Sequence, residues 1–224
     1  SPLRQEVYAL PEGMDPHIYT VTAFAYTVKC IQRSPESAAT ANWLAPKQGS
    51  FMSLQQQQIA FSCEGNSQDP RISHSFVLAT DEYGQVEKQA SIAYGRKRPD
   101  TTLPAVVQQE QAKTHITYSL SRYTNGITNQ ALNYRLPLPC EQMAYEMKIA
   151  PPAGALYTID ELKNATFNTV AIDYSATPVL NTKRLLSHSR TYFYNDAATT
   201  YLTLGELEVQ ALPYESYQRV YSTA

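Results

Sequence analysis

Glycine is scarce in this chain: eight residues in 224, of which Gly84, Gly95 and Gly126 stand alone beside turn-forming residues. No glycine-rich loop able to cradle a phosphate is present. Cysteine is scarcer still. Cys30, Cys63 and Cys140 form an odd set at wide spacings with no C-x-x-C pair, so they build no disulfide framework and read as free, buried or half-buried thiols. No apolar run reaches the ~20 residues a membrane helix needs, and no stretch reads as a secretory signal peptide. The chain starts Ser-Pro without an initiator Met and is expected to be an excised fragment. Neither sign of charge dominates. Eighteen basic against 20 acidic side chains leave a net charge of -2 and no basic stripe, which argues against a nucleic-acid partner.

Tyrosine, by contrast, is abundant. Seventeen tyrosines against eight glycines point to β structure, because aromatic side chains suit a pleated surface. The clearest stretch is Asp69 to Arg98. Before Asp81-Glu82-Tyr83-Gly84 the even positions are Ile72, His74, Phe76, Leu78 and Thr80; after it they are Val86, Lys88, Ala90, Ile92 and Tyr94. The odd positions are mostly polar, so each run has one apolar face. A three-residue loop, Glu82-Tyr83-Gly84, pairs Ile72 with Tyr94 and Phe76 with Ala90. A two- or four-residue loop would set Phe76 opposite Gln89 and split the apolar set. Asp81 suits the first position of a type I turn, and Gly84 the left-handed residue that closes it. The prediction is a β-hairpin with Gly84 at positive φ.

The rest of the chain reads as further strands and connectors. Residues 1–17, with Pro2, Pro11, Gly13 and Pro16, read as a connector. Tyr19–Ile31 reads as a strand with apolar side chains on both faces, expected to be covered on both. Gln32–Gly49 reads as a loop with one helical turn near Ala38–Trp43. Phe51–Cys63 reads as a strand presenting Phe51, Ile59, Phe61 and Cys63 on one face, with Gln55–Gln58 as solvated positions. Arg96–Val107 reads as a polar connector. Thr114–Tyr123 reads as a strand, and Asn125-Gly126 after it as a hairpin turn. Pro137 and Pro139 mark the start of the next strand, whose apolar face is Met143, Tyr145, Met147 and Ile149. Thr158 followed by Glu161 is a capping box that opens a helix to about Phe167, with Asp160 favourable in its first turn. Arg184–Tyr194 reads as a strand, Asn195–Thr200 as its loop, and Leu204–Gln210 as a short helix or irregular stretch. No domain boundary is marked, so residues 1–224 are taken as one segment.

Candidate chemistry is thin. His17, His74, His115 and His188 fall at no metal-ligand spacing, so no metal and no cofactor is expected. Asp160 and Glu161 are adjacent and point to different sides of a helix, which suits capping better than paired acid and base. Ser73 and Ser75 flank His74 without the G-x-S-x-G nucleophile pattern. Arg96-Lys97-Arg98 is a basic cluster suited to a solvated loop or a salt-bridged edge. Asn164-Ala165-Thr166 is formally a glycosylation acceptor. No catalytic, cofactor-binding or metal residue is assigned.

Longer strings carry a resemblance. DPRISHSFVL, DEYGQV, SIAYGRKRP, THITYS with YTNGI, YRLPLPCEQMAYEM and LTLGELEVQALPYESY occur in order from Asp69 to Tyr217. They resemble the C-terminal half of the B component of bacterial Tc (ABC-type) insecticidal toxin complexes, and the Asp-x-x-Gly turn is similar to those of RHS/YD repeats. The resemblance implies a mainly β fold: successive antiparallel hairpins forming part of a large curved RHS/YD-like sheet shell, with one or two short helices. It implies a secreted, non-enzymatic toxin component that walls a hollow B–C capsule enclosing the cytotoxic C-terminal region of the C component. Implied partners are the C component, the enclosed polypeptide, and the A-component channel through a propeller outside these residues, with no nucleic acid and no direct membrane insertion. Two other readings stay open: a self-contained carbohydrate-binding β module, and a catalytic domain completed by residues outside the chain.

Overall fold

The computed structural model describes residues 1–10, 17–33, 49–64 and 68–219. Strands make up 54% of the chain and helices 9%, so the mainly β expectation holds. Two compact units form: residues 1–85 with 93–114, and residues 86–92 with 115–224.

The first unit carries β1 (Arg4–Ala9), β2 (His17–Arg33), β3 (Gly49–Ser62) and β4 (Arg71–Thr80), antiparallel and in that spatial order. β1 corrects the expected connector at residues 1–17. Between Pro2 and Pro11 no proline or glycine interrupts the chain, and Val7-Tyr8 has strand character that pairs with the His17–Ala23 end of β2. The double cover expected for β2 is also corrected, since residues 27–32 are exposed on both faces. β1 follows the strand only to Ala23, and β4 joins β3 only from Gln57 onward, so the far half of β2–β3 has no further described strand on either edge. Val28 and Ile31 are 65% and 58% exposed there.

A bulge overturns another expectation. The pairing shifts where Ala25 lies opposite Gln57 and Tyr26 opposite Gln55, leaving Gln56 as an extra residue. One extra residue reverses the alternation. Phe51 therefore faces away from Ile59 and Phe61 and is exposed, while Met52 and Leu54 turn inward. Gln55 is exposed and Gln56–Gln58 are half-buried. The expected helical turn near residues 38–43 lies outside the described residues.

The turn after β4 forms as its chemistry dictates. Asp81 Oδ1 accepts from the N–H groups of Tyr83 (2.9 Å) and Gln85 (2.8 Å), and Gly84 has φ +83°. Asp81 N–H donates to Gln85 O at 3.0 Å and Tyr94 N–H to Ile72 O at 3.0 Å. Both bonds belong to the register of the three-residue loop. His74, Phe76 and Leu78 are buried on the even face of β4. The connector after Arg96 is shorter than expected, because α1 (Ala105–Gln111) starts directly after Pro104, a residue that needs no N–H partner at a helix entrance.

The second unit carries β5 (Val86–Ala93, whose last residue lies in the first unit), β6 (His115–Tyr123), β7 (Ile127–Gln130), β8 (Asn133–Arg135), β9 (Pro139–Lys148), α2 (Ile159–Asn168), β10 (Val170–Ile172), β11 (Thr182–Phe193) and β12 (Pro213–Arg219). Its sheet runs β5-β6-β9-β11-β10, with β12 also on β11 and β7–β8 as a separate ribbon. Ala90 and Ile92 are buried on β5, on the predicted face. α2 starts at the predicted capping box: Thr158 accepts from Glu161 N–H, and Glu161 Oε2 accepts from Thr158 N–H at 2.7 Å.

The predicted Asn-Gly hairpin is not formed. β6 pairs with β9 and β7 with β8, so Asn125-Gly126 joins two different ladders. The Asn125 side chain is spent on residue Leu207 instead of on a local turn. Residues 204–210 form turns and no helix, and β10 and β12 are short strands that alternation alone does not announce. Cys140, Phe193 and Leu207 form a buried cluster against Leu138, Leu202 and Leu204.

Candidate functional site

The best-built polar arrangement lies on the second unit, where register places four side chains in a row across four strands. Arg122 of β6 lies opposite Glu141 of β9, Glu141 opposite Arg190 of β11, and Arg190 opposite Tyr217 of β12. Directly opposed residues share a sheet face, so the four form a ladder. Glu141 is 4% exposed. Its carboxylate accepts from Arg122 Nη1 at 2.9 Å and Arg190 Nε at 2.7 Å, and lies 2.7 Å from His188 Nε2. Burial pushes its pKa up, but the bonds from Arg190, His188 and Arg122 outweigh that and hold it at about 2. A carboxylate held ionised this firmly suits charge pairing and not proton transfer near neutrality.

Next to the ladder is a tyrosine cluster drawn from three segments. Tyr192 of β11 meets Tyr217 edge-on at 5.7 Å and Tyr201 at 6.5 Å; Tyr201 stacks on Tyr214 at 5.1 Å, and Tyr194 meets Tyr214 at 4.9 Å. Such offset and edge-on pairs each contribute about 0.5–1.5 kcal/mol beyond area burial. Arg190, Tyr192, Tyr201, Tyr214 and Tyr217 line an open cleft of about 360 Å³. Through Arg190 and Tyr217 it continues into a second of about 420 Å³, lined also by His188, Gln218 and Arg219. The Tyr217 phenol donates to Glu215, which pushes its pKa up to about 12.

Of the histidines weighed in the sequence, His188 alone joins this face. His74 lies in the first unit, its ring tilted by 38° against Phe76 at 3.8 Å with Nδ1 3.4 Å from the Tyr94 hydroxyl, and burial lowers its pKa to about 4. His17 and His115 sit at the starts of β2 and β6. Glu161 caps α2 and also accepts from Ala153 N–H at 2.8 Å, while Asp160 is exposed in the first turn. Ser73 and Ser75 are exposed on β4. Asn164–Thr166 lies within α2.

Of the basic cluster Arg96 is salt-bridged, while Lys97 and Arg98 are exposed. Asp69, 4% exposed, accepts from Arg96 Nε at 3.2 Å and from the N–H groups of Lys97 (3.1 Å) and Arg98 (3.2 Å). Burial raises the Asp69 pKa, and these bonds together bring it below its ordinary value. Cys63 and Cys140 are buried thiols and Cys30 is exposed. Glu141 and the tyrosine cleft escaped the sequence reading. Their one local signal was the tyrosine content, since the partners sit on strands far apart in the chain.

These features define a mainly β sheet protein with a charge-paired, tyrosine-lined face. Residues 1–136 match the family described as the insecticide toxin TcdB middle/C-terminal region, and the chain belongs to that family. It is a segment of the B component of Tc toxins, as the resemblance implied. Two solved structures, titled "Crystal Structure of TcdB2-TccC3" and "Crystal Structure of TcdB2-TccC3-Cdc42", are similar in fold. Each has a TM-score of 0.68 and 24% identity, over 96% of this chain and 10% of theirs. This chain thus spans about a tenth of the length of the solved chains it matches. No curated protein matches.

Proposed function

We propose that residues 1–224 are one segment of the wall of a hollow B–C toxin capsule, which encloses the cytotoxic C-terminal region of the C component before delivery into the host cell. The observation that carries this is the unfinished character of the first unit's sheet. The far half of β2–β3 leaves Val28, Ile31 and Phe51 at 65%, 58% and 51% exposure, and β1 has one strand neighbour among the described strands. An isolated two-stranded ribbon is marginal in water, so such a sheet belongs to a larger one that continues it.

The C component is the partner on this reading, supported by solved relatives whose titles pair TcdB2 with TccC3. The A-component channel is met through residues outside this chain. The role is structural and non-enzymatic, in a secreted complex. Tyr, Thr, Ser and Gln at alternate strand positions suit a wall that meets both protein and water.

The test is size-exclusion chromatography with a thermal melt of the 224 residues alone and after co-expression with the rest of the B chain and its C partner. Self-association alone, relieved in the complex, is expected. A monomer that unfolds cooperatively by itself counts against the wall and favours a self-contained carbohydrate-binding module.

A further inference from the structure

We propose that the tyrosine cleft of the second unit is a binding site for a neutral oligosaccharide built of flat, all-equatorial pyranose rings. The inference goes beyond the wall reading and does not depend on it. The cleft lies over the face of β11 and not along a sheet edge. His188, Arg190 and Tyr192 alternate along the strand and share that face. Tyr217 lies opposite Arg190, and the register shift of β12 beside Thr191–Phe193 turns Tyr214 to the same side. Tyr201 arrives from the other flank, joined to Tyr194 by an isolated bridge. Rings from both flanks therefore meet above β11. Tyr201 lies within 7° of parallel to Tyr214, and half-buried Tyr192 stands at 85° to Tyr201 and 88° to Tyr217. Tyr201 and Tyr217 are 60% and 53% exposed, so their rings are open to a ligand.

The groups around the cleft state the chemistry of the ligand. An aromatic face carries the negative side of the ring quadrupole and attracts polarised C–H groups. A pyranose whose hydroxyls are all equatorial shows C–H groups on both faces and keeps its hydroxyls at the rim. The rim of the cleft matches it. Arg190, its Nε held by Glu141 at 2.7 Å, supplies donors, and Glu215, bonded to the Tyr217 phenol, supplies acceptors. A hydroxyl is donor and acceptor at once and suits such a mixed rim. A uniformly charged ligand does not, because Arg190 and Glu215 are of opposite sign and each is already partnered. An extended peptide laid on a sheet face has no main-chain ladder to join. From His188 to Tyr192 the face is about 13 Å long at the usual rise of a strand. The two linked clefts, of about 360 and 420 Å³, follow it and have room for more than one sugar ring.

The experiment is isothermal titration calorimetry of the full-length B chain assembled with its C partner. The probe is cellotetraose, and tetragalacturonate, an anionic oligosaccharide of the same length, is the comparison. Cellotetraose should bind saturably with a Kd of about 1 mM or below, and tetragalacturonate about tenfold more weakly. Tyr201→Ala and Tyr217→Ala should each weaken cellotetraose by about tenfold, while Tyr201→Phe, which keeps the ring, stays within about twofold. Leu132→Ala, at a 97% exposed position outside the cleft, should change nothing. Where an alanine variant fails to assemble, nitration of the native assembly by tetranitromethane replaces it: cellotetraose should protect Tyr201 and Tyr217. Four results overturn the proposal: no saturable binding of cellotetraose, tetragalacturonate bound as tightly, an intact Tyr201→Ala assembly that binds cellotetraose as the native one does, or nitration of Tyr201 and Tyr217 unaltered by the sugar.

Discussion

Asn125 and Leu207 hold one another by two hydrogen bonds across 82 positions of sequence: Leu207 N–H donates to Asn125 Oδ1 at 2.7 Å, and Asn125 Nδ2 donates to Leu207 O at 3.0 Å. The side-chain amide acts as a peptide group would in a ladder. It satisfies both backbone groups of a residue buried against Cys140 and Phe193. Asn125→Ala leaves these groups unpaired and should destabilise the protein by about 2–3 kcal/mol in urea unfolding. Asn125→Asp keeps the acceptor but sets two oxygens face to face, so it should recover little of that loss.

Gly84 has φ +83°, and a Cβ there would come within 2.6 Å of Met52 Sδ. The sulfur can yield; the backbone cannot adopt this conformation comfortably with a β-branched residue. Gly84→Val should therefore cost about 1–2 kcal/mol, read as a lower melting temperature. Gly84→Asn, which tolerates the left-handed region, should cost clearly less.

His74 is kept neutral by burial, with a pKa of about 4 in the fold against an ordinary value of 6.5. Between these values the unfolded chain binds more protons than the folded one, so stability falls as the pH is lowered from 6.5 toward 4. His74→Phe removes this titration while keeping a ring against Phe76. Melting temperatures measured from pH 7 to 4 should fall less steeply in the variant. Parallel slopes would show that His74 does not carry the dependence.

Glu141 responds in the same sense over a lower pH range, being held at about 2 against an ordinary 4.5, here because its charged form is paired and not because it is kept neutral. Its contribution is complete above pH 4.5 and disappears as the pH falls through about 2. Glu141→Gln should destabilise by about 1–3 kcal/mol at pH 7, since Arg122 and Arg190 lose a charged acceptor but remain partly solvated. The gap from the native protein should close on acidification below pH 4.5. A gap that stays constant would mean that packing, and not charge, explains the loss.

Thr158 completes the capping box of α2. Thr158→Ala should cost about 1 kcal/mol in stability, read by urea unfolding, because the cap acts on the local helix. Unchanged stability would show that the cap contributes nothing net to the fold.

The sequence by itself settled what depends on neighbours a few positions apart. Asp81 and Gly84 specify their turn, even positions from Ile72 to Leu78 set the buried face of β4, and Thr158 with Glu161 starts α2, because each is closed by bonds within the same short stretch. The tertiary structure decided what depends on register between remote strands. Gln56, one residue out of ladder, turned Phe51 outward and Met52 inward, which alternation cannot foresee because a bulge belongs to the pair of strands and not to either one. Asn125-Gly126 had the chemistry of a hairpin turn, but pairing of β6 with β9 and the demand of Leu207 for two partners drew Asn125 elsewhere. Arg122, Glu141, Arg190 and Tyr217 became one ladder for the same reason. Four strands far apart in sequence had to align before a single buried carboxylate could hold two guanidinium groups, and the tyrosine cleft exists beside them only in that register.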